Sequence, residues 1–220
     1  TGTNFKVHNE QFLTGFEGYV HCNCYRGYGN IDGVKVVGCW NTIQTYIKNK
    51  LSQEANSSLR HSILIYIVNI RSAEKINGKE ANIEDLHEAR KSSRIEAEKI
   101  FDLCKENRTS NDSAVIKVMS HIINHKDVLM RCFEEEKLEL TNERAQDALK
   151  PITRLRDDKF FINTDENAKA SAIMYSLIKT AQDNGLCADG YLIWIMENIH
   201  RLNNNELLPW SKKIPDSIKK

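Results

Sequence analysis

The sequence lacks a long apolar run of the kind that a membrane helix requires. Such a helix needs about 20 consecutive apolar residues, and the richest stretch, ILIYIVNI at residues 63–70, is far shorter. The first residues, TGTNFKVHNE, are polar and show no secretory signal pattern. We therefore expect no membrane partner and a cytoplasmic location.

An excess of charge of one sign is also missing. The chain carries 31 Lys and Arg against 30 Asp and Glu, so its formal net charge is only +1. Bulk charge therefore indicates no partner, and a DNA-binding surface would have to come from local segregation of charge. No internal repeat or low-complexity block is present.

Cysteine is present without a disulfide pattern. The count is even, but the spacing is irregular and no secretory signal precedes it, which favours reduced thiols. The six are Cys22, Cys24, Cys39, Cys104, Cys132 and Cys187. The sequence does not begin with methionine, and we expect it to start inside a longer reading frame.

Two short strands are predicted near the start of the chain. GYVHC, from Gly18, and VKVVGCW, from Val34, are separated by a loop rich in turn-forming residues. Residues 8–17 before them read as a short helix with Phe12, Leu13 and Phe16 on one face. Asn41 after them is the expected N-cap of a helix.

The rest of the sequence predicts helices. Residues 58–133 lack strand signals, and a helix capped by Thr141 or Asn142 is expected to stop at Pro151. Two amphipathic helices follow, the first ending at Gly185. Since two lone strands rarely form a stable sheet, further strands are expected upstream or from a partner. The predicted fold class is α/β, mostly α.

Three segments, in order, resemble transposases of the insertion-sequence sixty-six family, a branch of the DDE transposases. ENAKASAIMYSLIKTAQDNGLCADGYLIWIMENI, followed by ELLPW, looks like the closing helices of the family. LTNERAQDALKPITRLRDDKFF is similar to its Asp-Asn-Asn-x-x-Glu-Arg block. FLTGFEGYVHCNCYRGYGNIDGVKVVGCW is similar to its Gly-Tyr-x-x-x-Asp-Gly-Tyr segment and the following Val-Gly-Cys-Trp.

This resemblance implies a partial RNase H-like (retroviral-integrase-like) domain with a large helical insertion and a helical C-terminus. Three carboxylates in such a domain hold two divalent ions, Mg²⁺ or Mn²⁺ in intact family members, for phosphodiester cleavage and strand transfer. The expected parts are a strand and helix segment at 1–55, the insertion at 56–137, a helix with a basic loop carrying the third acid position at 138–165, and C-terminal helices with a tail at 166–220.

The resemblance places two acid positions on amides. The second Asp of the family falls on Asn23 and the Glu falls on Gln146, while the first Asp is expected on a strand before Thr1. Two lost charges weaken Mg²⁺ binding, so we expect no cofactor in this chain. Glu143 lies almost one turn before Gln146, and Asp147 points about 100° away, so neither is expected to substitute.

A basic run after this block implies contact with DNA. The resemblance places phosphate contacts at Lys150, Arg154, Arg156 and Lys159, and a solvated loop is the equal alternative, since Asp157 and Asp158 dilute the charge. The aromatic residues Trp40, Tyr175, Trp194 and Trp210 could stack on bases. Packing is favoured for Tyr175 and Trp194, which lie at helical spacing among Ile and Leu, and for Trp210, which lies in the segment that resembles the closing motif.

Zinc is the alternative interpretation of the stretch around Asn23. His21, Cys22 and Cys24 with Cys39 could bind it, but the Cys-x-Cys spacing differs from that of common zinc fingers. We expect no metal there.

The function that follows from the resemblance is that of an insertion-sequence transposase, as a truncated and catalytically disabled copy. The alternatives are a repurposed DNA-binding or assembly module without catalysis, and a non-functional remnant. The implied partners are the DNA of the element ends, a second copy of the chain or the upstream half of the transposase. The implied setting is a bacterial cytoplasm, with association to the nucleoid when DNA is bound.

Overall fold

The computed structural model describes residues 5–24, 26–52, 57–72, 83–135, 137–155 and 164–220, with the backbone alone at residues 5–8, 26, 83–86, 154 and 155. The chain forms two compact units, Thr1–Glu143 and Arg144–Lys220.

The sheet of the described residues has two parallel strands in the first unit. Strand β1 (Gly18–Cys22) pairs with β2 (Val34–Gly38), and the register runs from Gly18 opposite Val34 to Cys22 opposite Gly38. Gly33, just before β2, has φ +79°, and a Cβ there would lie 2.7 Å from the carbonyl oxygen of Phe16. Only glycine therefore fits this close approach of the two chain segments.

The remaining elements of the first unit are helical. The helices are α1 Phe5–Phe12, α2 Trp40–Lys50, α3 Ser57–Ser72, α4 Ile83–Glu106, α5 Ser113–Asn124 and α6 Lys126–Met130, with 3₁₀ turns at Arg26–Tyr28 and Arg131–Phe133. Asp112 caps α5 by accepting a hydrogen bond from the amide of Ala114, as favoured N-cap residues do.

Trp40 lies at the centre of the core of this unit. It is fully buried, its Nε1–H donates to the carbonyl of Leu129 at 3.2 Å, and its ring meets Phe101 edge-on at 6.1 Å. The apolar faces of α3, α4 and α5 surround it through Ile63, Ile67, Ile70, Ile100, Val118, Met119 and Ile122. The core thus joins the sheet to the predicted insertion.

The second unit contains three helices in the described residues: α7 Glu143–Leu155, whose first residue closes the first unit, α8 Asp165–Asp183 and α9 Ala188–Asn198. A 3₁₀ turn spans Asp216–Ile218. Its core contains Tyr191, whose hydroxyl donates to the carbonyl of Leu207 at 2.7 Å. Gly185 follows α8 with φ +74°, which confirms the predicted glycine stop.

Several boundaries differ from the sequence predictions. The first helix ends at Phe12, and of its predicted apolar face only Leu13 is buried, with Phe12 and Phe16 exposed. Asn41 is wrong as an N-cap, because α2 begins at Trp40 and Cys39 occupies the cap position. Pro151 does not stop α7, which continues to Leu155. Proline makes a stop probable in general, but some helices continue through it.

Candidate functional site

Asn23 lies directly after the carboxyl end of β1. It is exposed, and the residues on either side of it, Cys22 and Cys24, are buried. The buried thiols anchor the chain at the end of the strand, and the amide side chain between them projects from a fixed backbone. Nothing about this position hinders contact with a ligand in solution.

Cys24 holds the chain in a left-handed conformation. Its φ is +62°, the only positive value at a non-glycine residue in the described chain. Such a conformation costs an L-residue roughly 1–2 kcal/mol, and glycine adopts it freely. Burial raises the pKa of the Cys24 thiol to about 12; the backbone of Cys39 opposes that shift, and the neighbouring thiols of Cys22 and Cys39 add to it.

The side chain before Cys22 faces the partner strand. The Nε2–H of His21 donates to the carbonyl of Gly38 at 3.0 Å. Burial lowers the pKa of His21, an effect that this hydrogen bond and the charge of Glu139 partly offset. His21 therefore holds the ends of β1 and β2 together as a neutral imidazole at physiological pH.

Gln146 is exposed in the first turn of α7. The neighbouring carboxylates are engaged in ion pairs. Both oxygens of Glu143 accept hydrogen bonds from Nη2 of Arg71, at 2.7 and 3.0 Å. Asp147 pairs with Lys150 at 2.5 Å. Both acids near Gln146 are therefore bound to cations.

Two hydrogen bonds join the residues just before α7 to those just after β2. The amide of Trp40 donates to the carbonyl of Leu140 at 3.1 Å, and the amide of Asn142 donates to Sγ of Cys39 at 3.5 Å. Arg71 of α3 makes further contacts. Its Nη1 donates to the side-chain oxygens of Gln44 and Asn41 at 3.0 and 3.3 Å, while its Nη2 binds Glu143. We call Arg71, Asn41, Gln44 and Glu143 the Arg71 network.

The two predicted acid positions fall in different units. Asn23 belongs to the first and Gln146 to the second, and their meeting at one site stays a prediction. Of the predicted phosphate contacts, Lys150 is exposed on α7 and paired with Asp147. The Arg154 side chain and all of Arg156 and Lys159 lie outside the described residues.

The aromatic residues divide between core and surface. Trp194 is buried, as predicted, and Trp40 is buried as well. The hydroxyl of the half-buried Tyr175 donates to the carbonyl of Ala148. Trp210 is 63% exposed, so its predicted packing is wrong. The apolar segment around it buries Leu207 and Pro209 instead.

Metal-binding geometry is absent from the described part of the chain, where no three His, Cys, Asp or Glu side chains converge as ligands. The donor set at the predicted acid positions does not suit Mg²⁺ or Mn²⁺ either. Amide oxygens stand at Asn23 and Gln146, while the nearby acids are bound to cations. We therefore derive no catalytic step through a divalent ion.

Sequence reasoning missed Arg71 and His125. Arg71 follows an apolar run at the end of α3, and His125 lies at the junction of α5 and α6. The three partners of Arg71 are distant in sequence, two on α2 and one on α7, so no local spacing could reveal their contacts.

Comparison with known proteins agrees with the motif pattern. Residues 4–170 match the family described as Transposase IS66 family. The chain belongs to the IS66 transposase family. Its link to the insertion-sequence family is therefore confirmed, and a role related to transposition follows from it.

A curated relative of the IS66 chain is the uncharacterized protein y4qI of Sinorhizobium fredii (strain NBRC 101917 / NGR234). It is 21% identical over 225 residues, which cover 94% of the chain and 41% of y4qI. The chain thus spans less than half the length of this relative. No solved structure matches the chain. Among the described helices, none combines the length and apolarity that crossing a membrane demands.

Proposed function

We propose that this chain is part of the catalytic region of an IS66 transposase, that it binds the DNA of the element ends, and that its metal centre is disabled. The observation that carries the proposal is the exposed amide of Asn23 at the carboxyl end of β1, where the family has an acid. The left-handed φ of Cys24 supports this alignment, because the family tends to have glycine at that position.

The proposed fold is a partial RNase H-like domain. Two features of the first unit support it. The strands are parallel and adjacent, with Asn23 at the carboxyl end of β1, and no described strand pairs with the other edge of β1. That open edge is where a further strand would pair. On β2, the carbonyl of Val36 accepts a hydrogen bond from the guanidinium of Arg131.

The proposed loss of catalysis follows from the loss of negative charge at two of the positions that bind metal ions in the family. Divalent ions of this class bind hard, charged oxygen ligands, and two of the three family acids are amides here. The first Asp of the family is assigned to no residue of the chain. Glu143 is bound by Arg71, so recruiting it would break a bidentate ion pair and leave Arg71 without its anion.

DNA binding is tested by fluorescence anisotropy with a labelled duplex over a range of salt concentrations. We expect binding that weakens steeply with salt, because each phosphate contact releases counterions. Neutralising the predicted contacts by K150Q, R154Q, R156Q and K159Q should reduce the salt slope. A matched variant neutralises four cations of α4, K91Q, R94Q, K99Q and K105Q, and should retain the slope. Absence of binding at low salt would overturn the proposal.

The alternative is a repurposed DNA-binding or assembly module. The ion pairs of Glu143 and Asp147 favour this alternative, because cationic side chains, rather than a metal ion, neutralise the acids near Gln146. The double variant Asn23→Asp with Gln146→Glu distinguishes the two. In a relic of the transposase centre, the double variant should gain more affinity for Mn²⁺ in calorimetry than the two single variants gain together. An additive response would favour the module.

A further inference from the structure

A cleft of about 720 Å³ opens beside the predicted site. Its walls come from the loop after β1, from β2 and from the junction of α5 and α6, and we call it the β2–α6 cleft. Cys24, the neighbour of Asn23, lies on its wall. The volume falls in the range of small-ligand pockets, and every lining residue belongs to the first unit.

His125 gives this cleft a fixed hydrogen-bond acceptor. The side chain is only 9% exposed, and its Nδ1–H donates to the carbonyl of His121 at 2.7 Å. That bond sets the tautomer and leaves Nε2 as an acceptor. The ring packs at 4.4 Å against His121, which packs at 4.3 Å against Tyr46. Nε2 has no partner among the residues that the structure describes.

Among the lining residues that the structure describes, the charges cancel. Lys35 and Arg131 stand against Asp127 and Glu134, and Arg131 already donates to the carbonyl of Val36. A groove that follows a DNA backbone needs a cationic surplus to replace counterions. The β2–α6 cleft therefore does not suit a phosphate chain, and it suits a neutral group that has both donors and acceptors.

The remaining lining groups match a nucleobase. Asn30 and Asn124 each offer an amide donor and an acceptor, and both are exposed at the cleft. Val34, Val36 and Val128 provide apolar surface beside them. Pockets that receive extruded bases combine hydrogen bonds to the base edge with apolar contact to its faces.

We propose that the β2–α6 cleft receives one unstacked DNA base, with Nε2 of His125 and the amide of Asn124 binding its edge. This inference rests on the proposed function, since it requires a chain that engages DNA. The exposed Asn23 at the mouth of the loop would then lie next to the backbone of the extruded nucleotide. His125 and Asn124 are binding residues in this account and take no part in bond breaking.

The test uses a forked duplex with 2-aminopurine at the first unpaired position. Fluorescence of this base rises when it leaves the stack, and no Phe, Tyr or Trp is among the described lining residues to quench it. We expect a several-fold rise at saturating wild-type chain. His125→Phe and Asn124→Ala should abolish most of the rise while anisotropy still reports DNA binding. Asn205→Ala, an exposed asparagine of the second unit, is the matched control and should behave as wild type.

The outcomes separate the cleft from the proposed function. DNA binding without a fluorescence rise overturns the cleft and leaves the proposed function intact. A rise that both cleft variants retain overturns the assignment to these residues. Absence of DNA binding overturns both. Since His125 is buried, its variant is first checked for a native thermal transition, and Asn124→Ala decides the question if His125→Phe does not fold.

Discussion

At the scale of single residues, the position of Cys24 behaves as a glycine position that carries a cysteine. Its φ of +62° disfavours any side chain, while its thiol is buried beside Gly38. We predict that Cys24→Gly has a free energy of unfolding about 0.5–1 kcal/mol higher than Cys24→Ala. Urea denaturation of both variants measures the difference.

Cys104 provides the control for this comparison. It is buried in the interior of α4, where alanine should exceed glycine in stability by about 1 kcal/mol. The sign of the glycine-to-alanine difference should therefore reverse between the two cysteines. The same sign at both positions would refute a left-handed backbone at Cys24.

His21 makes stability depend on pH. Its pKa is lowered from 6.5 in the folded chain, chiefly by burial. Below pH 6.5 the unfolded chain takes up a proton that the native chain does not, so the free energy of unfolding falls until the lower native pKa is reached. We predict that His21→Gln loses less stability than wild type between pH 7.5 and 5.5 in urea melts.

His200→Gln, at an exposed histidine of the second unit, is the control for the His21 experiment. It should show the wild-type loss of stability over the same pH range. An equal loss in His21→Gln and wild type would mean that His21 is not held neutral by its surroundings.

At the scale of elements, the Arg71 network fastens the start of α7 to α2 and α3. Arg71 binds Glu143 with two short contacts and also satisfies Gln44, which is buried. We predict a coupling free energy of about 1 kcal/mol between Arg71→Ala and Glu143→Ala in a double-mutant cycle. Chemical denaturation of the four variants measures it.

The pair Lys91–Glu88 serves as the comparison for that cycle. Both side chains are well exposed, 59% and 73%, within one helix, and their coupling should stay below about 0.5 kcal/mol. A coupling at Arg71 no larger than this would show that the network does not fasten α7.

Sequence patterns predicted the elements where the signal is local. GYVHC and VKVVG form strands because β-branched residues lie between turn-forming segments. The predicted start of α2 is wrong because the sequence pattern assigned Trp40 to the preceding strand. In the structure Trp40 is buried in the core and is the first residue of the helix. α7 passes Pro151, although proline removes one hydrogen-bond donor from its interior.

At the scale of the whole molecule, the cysteines report on the integrity of both units. Five are buried and Cys187 is exposed, all in the thiol form. Burial raises the pKa of Cys24 and of Cys104 to about 12, which suppresses the reactive thiolate. We predict that one thiol of the native chain reacts rapidly with Ellman's reagent, and that all six react in urea.

Cys187→Ser is the control for this titration and should leave no rapidly reacting thiol in the native chain. Rapid reaction of two or more thiols without denaturant would contradict the buried cores. Fewer than six in urea would indicate disulfides, against the expectation of reduced cysteines.

The candidate site could be predicted from sequence only in part. The motif resemblance assigned two acid positions to Asn23 and Gln146, because the matching segments fall in the order of the family, and that assignment stays a prediction. The sequence could not reveal the ion pairs of Glu143 and Asp147 or the neutral cleft beside Cys24. Those depend on residues that only the folded chain brings together, such as Arg71 with Glu143 and Lys35 with Asp127.

The central claim, a transposase-family chain that binds DNA but does not cut it, is tested most directly by incubating the chain with supercoiled plasmid and Mn²⁺. The variant Asn23→Ala with Gln146→Ala is run beside it to detect contaminating nuclease. We predict that the plasmid stays supercoiled with both proteins at every concentration that saturates binding. Nicking that depends on Mn²⁺ and disappears in the double variant would contradict a disabled centre.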